Sequence, residues 1–154
     1  MSLAKSKPLF AHPTDYEDDF AAWAFEQAEL LRLKRFSELD LANLVEEVES
    51  MGNEQRHALE SSYRVLIFHL LKWQFQPKRR SRSWLLTITR ERENIRRREK
   101  RNPSLYAKAD EIAADIYPAA RKEAAIETGL ATATFPTECP YSLIELRDQE
   151  FLPG

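Results

Sequence analysis

Apolar residues recur at intervals of three and four along most of the chain, and the phase of that recurrence divides it into helices. Tyr16, Phe20, Trp23, Ala24, Gln27, Leu30 and Leu31 fall on one face of a first segment, while Phe25, Leu33 and Phe36 line a second. Two apolar lines on one helix predict contact with two neighbouring helices, or with one helix and a second subunit. Thr14 and Glu17 have the spacing of a capping box, and Asp18 and Asp19 add negative charge at the positive end of the helix dipole. The first helix is therefore expected to begin near Asp15. Ser37 and Asp40 are both candidate caps for the next one. From there Leu41, Leu44, Val45, Val48, Gln55, Leu59, Ser62, Leu66, His69, Leu70 and Trp73 keep the helical period with little slip across Gly52. The pattern predicts one long helix or two nearly collinear ones. Gly52 and Asn53 are the weak point where a kink or break would fall, because glycine inside a helix costs about 1 kcal/mol relative to alanine.

Pro77 ends that segment, since the residue before a proline is pushed out of the helical region. Ser81 or Ser83 then caps a third helix carrying Trp84, Leu85, Ile88 and Ile95. Between Arg90 and Arg101 the one apolar residue is Ile95, so this half is expected to be solvated or laid along the acidic first arm. Glu93 with Arg96 and Arg97 supplies intrahelical pairs worth roughly a few tenths of a kcal/mol each. Asn102 and Pro103 restart the chain, and Leu105, Ala109, Ile112, Ile116, Ala120 and Ala124 mark a fourth helix, expected to kink or break at Pro118. Gly129 is placed to close it in the left-handed conformation. Pro136, Pro140 and Pro153 surround a short helical piece near Ser142 to Arg147, so the tail should wrap the bundle. Residues 1–13, with Pro8 and Pro13 and no periodicity, read as a flexible leader, which leaves 14–154 as a single helical domain. The expected fold is all-α: about four main helices in an antiparallel up-and-down bundle with a proline-rich C-terminal wrap.

Composition agrees with a helical protein and removes several function classes. With 154 residues, 43% of them hydrophobic, one continuous core is affordable, and three glycines are few. The single Cys139 cannot form an intrachain disulfide, and three scattered histidines do not make a zinc site. No apolar run approaches the roughly 20 residues that span a bilayer, so a cytoplasmic protein without a membrane partner is expected. The formal net charge of −2 hides an asymmetry. Lys78 to Arg101 holds eleven Lys or Arg against three Glu, whereas Thr14 to Glu60 holds thirteen acidic residues against four basic ones. The acidic arm offers the basic segment an internal partner, which weakens a reading based on nucleic acid.

Four ordered blocks carry a family resemblance: LVEEVESMG (Leu44 to Gly52), HLLKWQFQP (His69 to Pro77), RSRSW (Arg80 to Trp84) and FPTECPYSL (Phe135 to Leu143). Together, over roughly Tyr16 to Pro153, they resemble the signature blocks of domain-of-unknown-function family twenty-nine, of cyanobacteria and proteobacteria. The resemblance implies an all-helical bacterial domain with no assigned activity, and it supplies no catalytic residues.

Candidate chemistry therefore rests on the residues themselves. Arg79, Arg80 and Arg82, with Ser83, sit at the start of the third helix, where basic side chains oppose the helix dipole and call for a negative partner. That partner is either a phosphate-like anion held by arginine forks and backbone N–H groups, or the carboxylates Glu46, Glu47 and Glu49. Internal pairing or plain solvation is the simpler expectation, because charge runs on helical proteins usually serve such surfaces. His69, Lys72 and Trp73 share one helical face and, with Trp84, form a possible pocket. The simpler expectation there is that His69 and Trp73 fill the core while Lys72 reaches outward. Glu54 and His57 have the Glu-x-x-His spacing of carboxylate metal sites, but the motif occurs once, so neither a metal nor another cofactor is expected. Arg96, Arg97, Arg98, Lys100 and Arg101 could track a phosphate backbone, yet no recognition-helix signature accompanies them and the pI is near 6.0. Cys139 reads as a buried tail anchor and Ser81 and Ser83 as caps, so no catalytic residue is assigned. The expectation is a non-enzymatic interaction or scaffold domain, self-associating through the second apolar line of the first helix or binding a protein partner. The alternatives are an anion-binding protein or phosphate-ester enzyme using the arginine cluster, and a nucleic-acid-binding protein.

Overall fold

Six α-helices and three short 3-10 turns, with no strand, make up the regular structure of residues 7–154, which are those described by the computed structural model. The first six positions of the expected leader lie outside the described residues. The chain divides into two compact units, Met1–Gly52 and Asn53–Gly154.

In the first unit, helix α1 spans Phe20–Arg32 and starts later than the capping-box spacing suggests. Asp15 accepts from the backbone N–H of Glu17 at 2.8 Å and holds a turn, and Asp19 becomes the cap by accepting from Ala22 N–H at 3.0 Å. Thr14 instead donates its N–H and hydroxyl to Glu26, at 2.8 and 2.9 Å. The helix stops at Arg32 because Lys34 adopts a left-handed φ of 58°. Lys34 N–H then reaches Leu31 O and Arg35 N–H reaches Leu30 O, the two bonds of a Schellman closure. No glycine announces this stop. A 3-10 turn at Phe36–Glu38 follows, and Glu38 accepts from the Leu9 N–H at 2.8 Å, tying the chain before α1 to that turn.

The buried centre of this unit is Trp23, Gln27 and Leu30. Trp23 donates its indole N–H to Asp40 at 3.0 Å, and Gln27 accepts from the Asp40 N–H at 2.8 Å. Asn43 also donates to the Asp40 carboxylate, and this bond, with that from Trp23, holds the Asp40 pKa below the usual carboxylate range. Tyr16 packs edge-on against Trp23 at 4.9 Å and donates its hydroxyl to Glu47. That bond is the first cause of a Tyr16 pKa pushed up to about 12, and burial adds to it.

Helix α2 runs without interruption over Leu41–Phe75, so of the two arrangements that the pattern allows, one long helix or two collinear ones, the single helix forms. The apolar phase is the same on both sides of Gly52, and backbone hydrogen bonding carries the helix through it. An added Cβ at Gly52 would meet no atom within 4 Å. Gly52→Ala is accordingly expected to stabilise the protein by about 1 kcal/mol, raising Tm by roughly 2–4 °C. Thermal unfolding followed by circular dichroism checks this; a lower Tm would mean that Gly52 is required for flexibility.

In the second unit the C-terminal part of α2 packs with α3 (Arg82–Arg101) and α5 (Ala109–Thr128). Leu59, Tyr63, Leu66, Ile67, Leu70 and Leu71 from α2 meet Ile88 and Ile95 from α3 and Ile112, Tyr117, Ala120 and Ala124 from α5. Pro77–Arg79 forms a 3-10 turn after α2, and Ser81, not Ser83, caps α3 by accepting from Trp84 N–H at 3.2 Å. The restart at Asn102 gives only the short helix α4, Pro103–Tyr106, before α5 begins. Pro118 does not break α5. It and Ala114 are both exposed, so the carbonyl that loses its donor faces water. Gly129, with φ 72°, closes α5. Helix α6, Leu143–Arg147, starts with a full capping box of Ser142 and Glu145. The tail completes the core with Phe135, Tyr141 and Leu146.

The expectation of a solvated second half for α3 is overturned. Arg92 and Glu99 are 2% and 5% exposed, in line with Ile88 and Ile95 on the buried face. Charged residues occupy positions where the helical period calls for apolar ones.

Candidate functional site

The arginines at the start of α3 differ in their surroundings. Arg79, Arg82 and Ser83 are exposed, whereas Arg80 is half-buried and committed to the protein's own backbone. Its guanidinium donates to Trp73 O at 2.8 Å, to Gly154 O at 2.6 Å and to Pro153 O at 3.4 Å, and it lies 5.0 Å from the centre of the Trp73 ring. Carbonyl oxygens thus give Arg80 the negative partner that its position demands. The carboxylates considered for that role are placed otherwise: Glu46 and Glu49 are exposed, and Glu47 takes the Tyr16 hydroxyl. None of the three, nor Arg79, Arg80 or Arg82, takes part in an ion pair among the described residues.

One turn earlier on α2 the structure gathers His69, Lys72 and Trp84. Lys72 does not reach outward; it is 4% exposed. Its ammonium sits 4.4 Å from the Trp84 ring centre and 4.9 Å from that of Phe68, and 3.4 Å from a Glu127 carboxylate oxygen. Two ring faces and one carboxylate supply the compensation a buried ammonium needs. His69 Nδ1 lies 2.9 Å from Val65 O. A carbonyl can only accept, so Nδ1 carries the proton and Nε2 is a bare acceptor. Burial lowers the His69 pKa; the Val65 bond opposes that, and the Lys72 charge adds to it, so the ring is neutral at pH 7. Trp73 is half-buried against the core. No described cavity of about 210 to 460 Å³ is lined by these residues or by Arg79 to Ser83. The neutral imidazole and the caged ammonium thus sit in a packed corner of the second unit.

Other arginines repeat the pattern of Arg80. Arg92 donates to Leu146 O at 2.9 Å, Phe151 O at 2.8 Å and Glu145 O at 3.1 Å. Arg121 donates twice to Phe135 O, at 3.2 and 2.9 Å. The tail has no strand ladder, so its carbonyls depend on such side chains. Arg147 reaches in the opposite direction, from the tail to buried Glu99, at 3.2 Å through Nε and 2.5 Å through Nη2. Glu99 also accepts from the Tyr63 hydroxyl at 2.9 Å. Burial, with the Glu99 charge next, raises the Tyr63 pKa and keeps its hydroxyl protonated. Neither Arg92 nor Glu99 stood out in the sequence, although both fall on the stripe of Trp84, Ile88 and Ile95.

The remaining candidates stand apart. Glu54 and His57 are exposed, and no cluster of three or more His, Cys, Asp or Glu suited to a metal occurs among the described residues. Cys139 is half-buried against Tyr141 O, and burial pushes its thiol pKa up, away from nucleophilic reactivity. No helix among the described residues is long and apolar enough to cross a membrane.

The first unit presents a different kind of surface. Phe25, Leu33 and Phe36, the second apolar line of the first helical segment, are 77%, 50% and 63% exposed. On α2, Leu41, Val45, Val48 and Met51 are also exposed, at spacings of four, three and three that place them on one side of the helix. A single exposed leucine is ordinary, whereas several large apolar residues exposed together on one side of a helix are less so.

A family model described as a domain of unknown function, DUF29, matches residues 16–152. No curated protein and no solved structure matches the chain.

Proposed function

We propose that this chain, which belongs to the DUF29 family of domains of unknown function, is a protein-interaction domain that receives a basic amphipathic helix on its first unit. One observation carries the reading: Leu41, Val45, Val48 and Met51 form an exposed apolar stripe on α2, with the carboxylates of Glu46 and Glu49 exposed beside it. Helix-in-groove recognition uses anchors at this spacing. Between Thr14 and Gly52 there are eleven Asp or Glu against three Lys or Arg. Two copies meeting face to face through this unit would bring like charge together, whereas a partner helix carrying Lys or Arg beside its apolar residues would be attracted.

Calorimetric titration with two designed amphipathic peptides tests the reading, one with Leu on one face and Lys on the other, the second with Glu replacing every Lys. The Lys peptide is expected to bind with a Kd of about 1–10 µM, the Glu peptide at least about a hundredfold more weakly. Val48→Asp with Met51→Asp is expected to abolish binding while leaving the thermal melt within a few degrees, because both side chains are exposed. Equal binding of the two peptides, or full binding by the double variant, would remove the proposal. A stable dimer of the free protein that the double variant dissociates would replace it with self-association.

A further inference from the structure

A second surface feature lies in the other unit and is independent of the interaction reading. Between α3, α4 and the end of α6 is a cavity of about 280 Å³, lined by Arg92, Ile95, Arg96, Glu99, Lys100, Tyr106, Arg147 and Gln149. Its volume is near the lower end for small-molecule sites. Four cationic side chains border it against one carboxylate, and the hydrogen bonds show which of those charges are already used. Arg92 is spent on the three tail carbonyls. The Glu99 carboxylate is spent on Tyr63 and Arg147. Arg96 is held by Glu93 through Nε at 3.0 Å and Nη2 at 2.5 Å, so the rim keeps one unpaired cation, Lys100, which has no hydrogen-bond or ion-pair partner among the described residues. Arg147 binds Glu99 through Nε and Nη2 and Tyr106 O through Nη2; its Nη1 has no acceptor among the described residues.

The walls have a different character from the rim. Ile95 and the ring of Tyr106 contribute carbon surface, and the Arg147 guanidinium lies over the Tyr106 ring, 4.2 Å from its centre. Basic residues in the last turn of α3 also answer the helix dipole, which accounts for a charge near Asn102 but not for an aromatic wall or a guanidinium oriented by a buried glutamate. An anion held here would meet the Lys100 ammonium and the Nη1 edge of Arg147, two donors from different elements that suit the several oxygens of a phosphate.

We propose that this cavity binds a phosphate monoester with an apolar body, the phosphate meeting Lys100 and Arg147 Nη1 and the body lying against Tyr106 and Ile95. Calorimetry on the full chain at low salt, with phenyl phosphate, inorganic phosphate and benzyl alcohol as probes, tests it. Phenyl phosphate is expected to bind with a submillimolar Kd, inorganic phosphate about tenfold more weakly, and benzyl alcohol not measurably. Lys100→Gln is expected to weaken phenyl phosphate about tenfold, whereas Lys78→Gln, an equally exposed lysine not lining the cavity, should leave it unchanged. Both lysines are exposed, so neither change should alter the fold. The proposal is overturned if phenyl phosphate gives no heat up to about 10 mM. Equal losses in the two variants would overturn it too, as they would show general attraction to a basic surface. Equal affinity for inorganic and phenyl phosphate would refute the role of the apolar wall. Failure on any of these counts leaves peptide binding by the first unit unaffected.

Discussion

Glu99→Ala is expected to destabilise the second unit by about 3–5 kcal/mol, a large part of the roughly 5–15 kcal/mol that holds a domain together. The carboxylate is 5% exposed and is the shared acceptor of Tyr63, which has no exposed surface, and of Arg147. Removing it leaves a buried hydroxyl unsatisfied and a guanidinium without its counter-charge. Glu99→Gln keeps an acceptor of the same shape but not the charge, and is expected to cost less, about 1–3 kcal/mol. Urea unfolding of both variants separates the two contributions. A loss below about 1 kcal/mol for the alanine variant would mean that water replaces the carboxylate and that the network is not structural.

Arg92→Ala is expected to cost a similar amount and to act mainly on the tail. Glu145 O and Leu146 O lie at the C-terminal end of α6, where carbonyls lack helical partners, and a guanidinium there answers both the missing donors and the dipole. The third bond, to Phe151 O, holds the chain beyond α6. The expected loss is about 3–5 kcal/mol, from the unpaired carbonyls and the space vacated by the side chain. Arg92→Met fills most of that space without donating, so it should recover only the packing share. Limited proteolysis gives the more local readout: cleavage after Arg147 should accelerate in both variants well before global unfolding. Unchanged cleavage would show that Phe135, Tyr141 and Leu146 suffice to hold the tail.

Much of the helical framework could be read from the sequence, and the misses share a physical origin. The apolar period located the helices, Pro77 and Gly129 their ends, and the Ser142/Glu145 pair the start of α6, because in each case one residue type has one dominant local effect. Lys34 escaped because a Schellman closure usually recruits glycine, and nothing local marks a lysine that tertiary bonds hold at φ 58°. At Gly52 the sequence leaves one helix or two open, and at Pro118 a kink or an interruption; a helix with the same apolar phase on both sides continues through either when the affected backbone is solvated or otherwise bonded. Arg92 and Glu99 escaped because a periodicity search scores charge as exposure, whereas a charge at an apolar position can mark a buried network.

Candidate chemistry was harder to read for a related reason. An arginine near a helix start demands a negative partner, but sequence does not distinguish an anion, a carboxylate and a backbone carbonyl. Arg80 meets carbonyls supplied by residues more than seventy positions away as well as by nearby Trp73. Lys72 likewise needed Trp84 and Glu127, from two other helices, to become a buried cation. Phe25, Leu33 and Phe36 read as one apolar line, but α1 ends at Arg32, so only Phe25 lies on it, and all three side chains are exposed.

Amide hydrogen exchange of the full chain, with and without the Lys/Leu amphipathic peptide, tests the interaction reading most directly. Slowed exchange concentrated in Leu41–Met51 is the expected result, with Arg79 to Ser83 and the tail unchanged. Protection centred on Arg79 to Ser83, or none in Leu41–Met51 under saturating peptide, would contradict it.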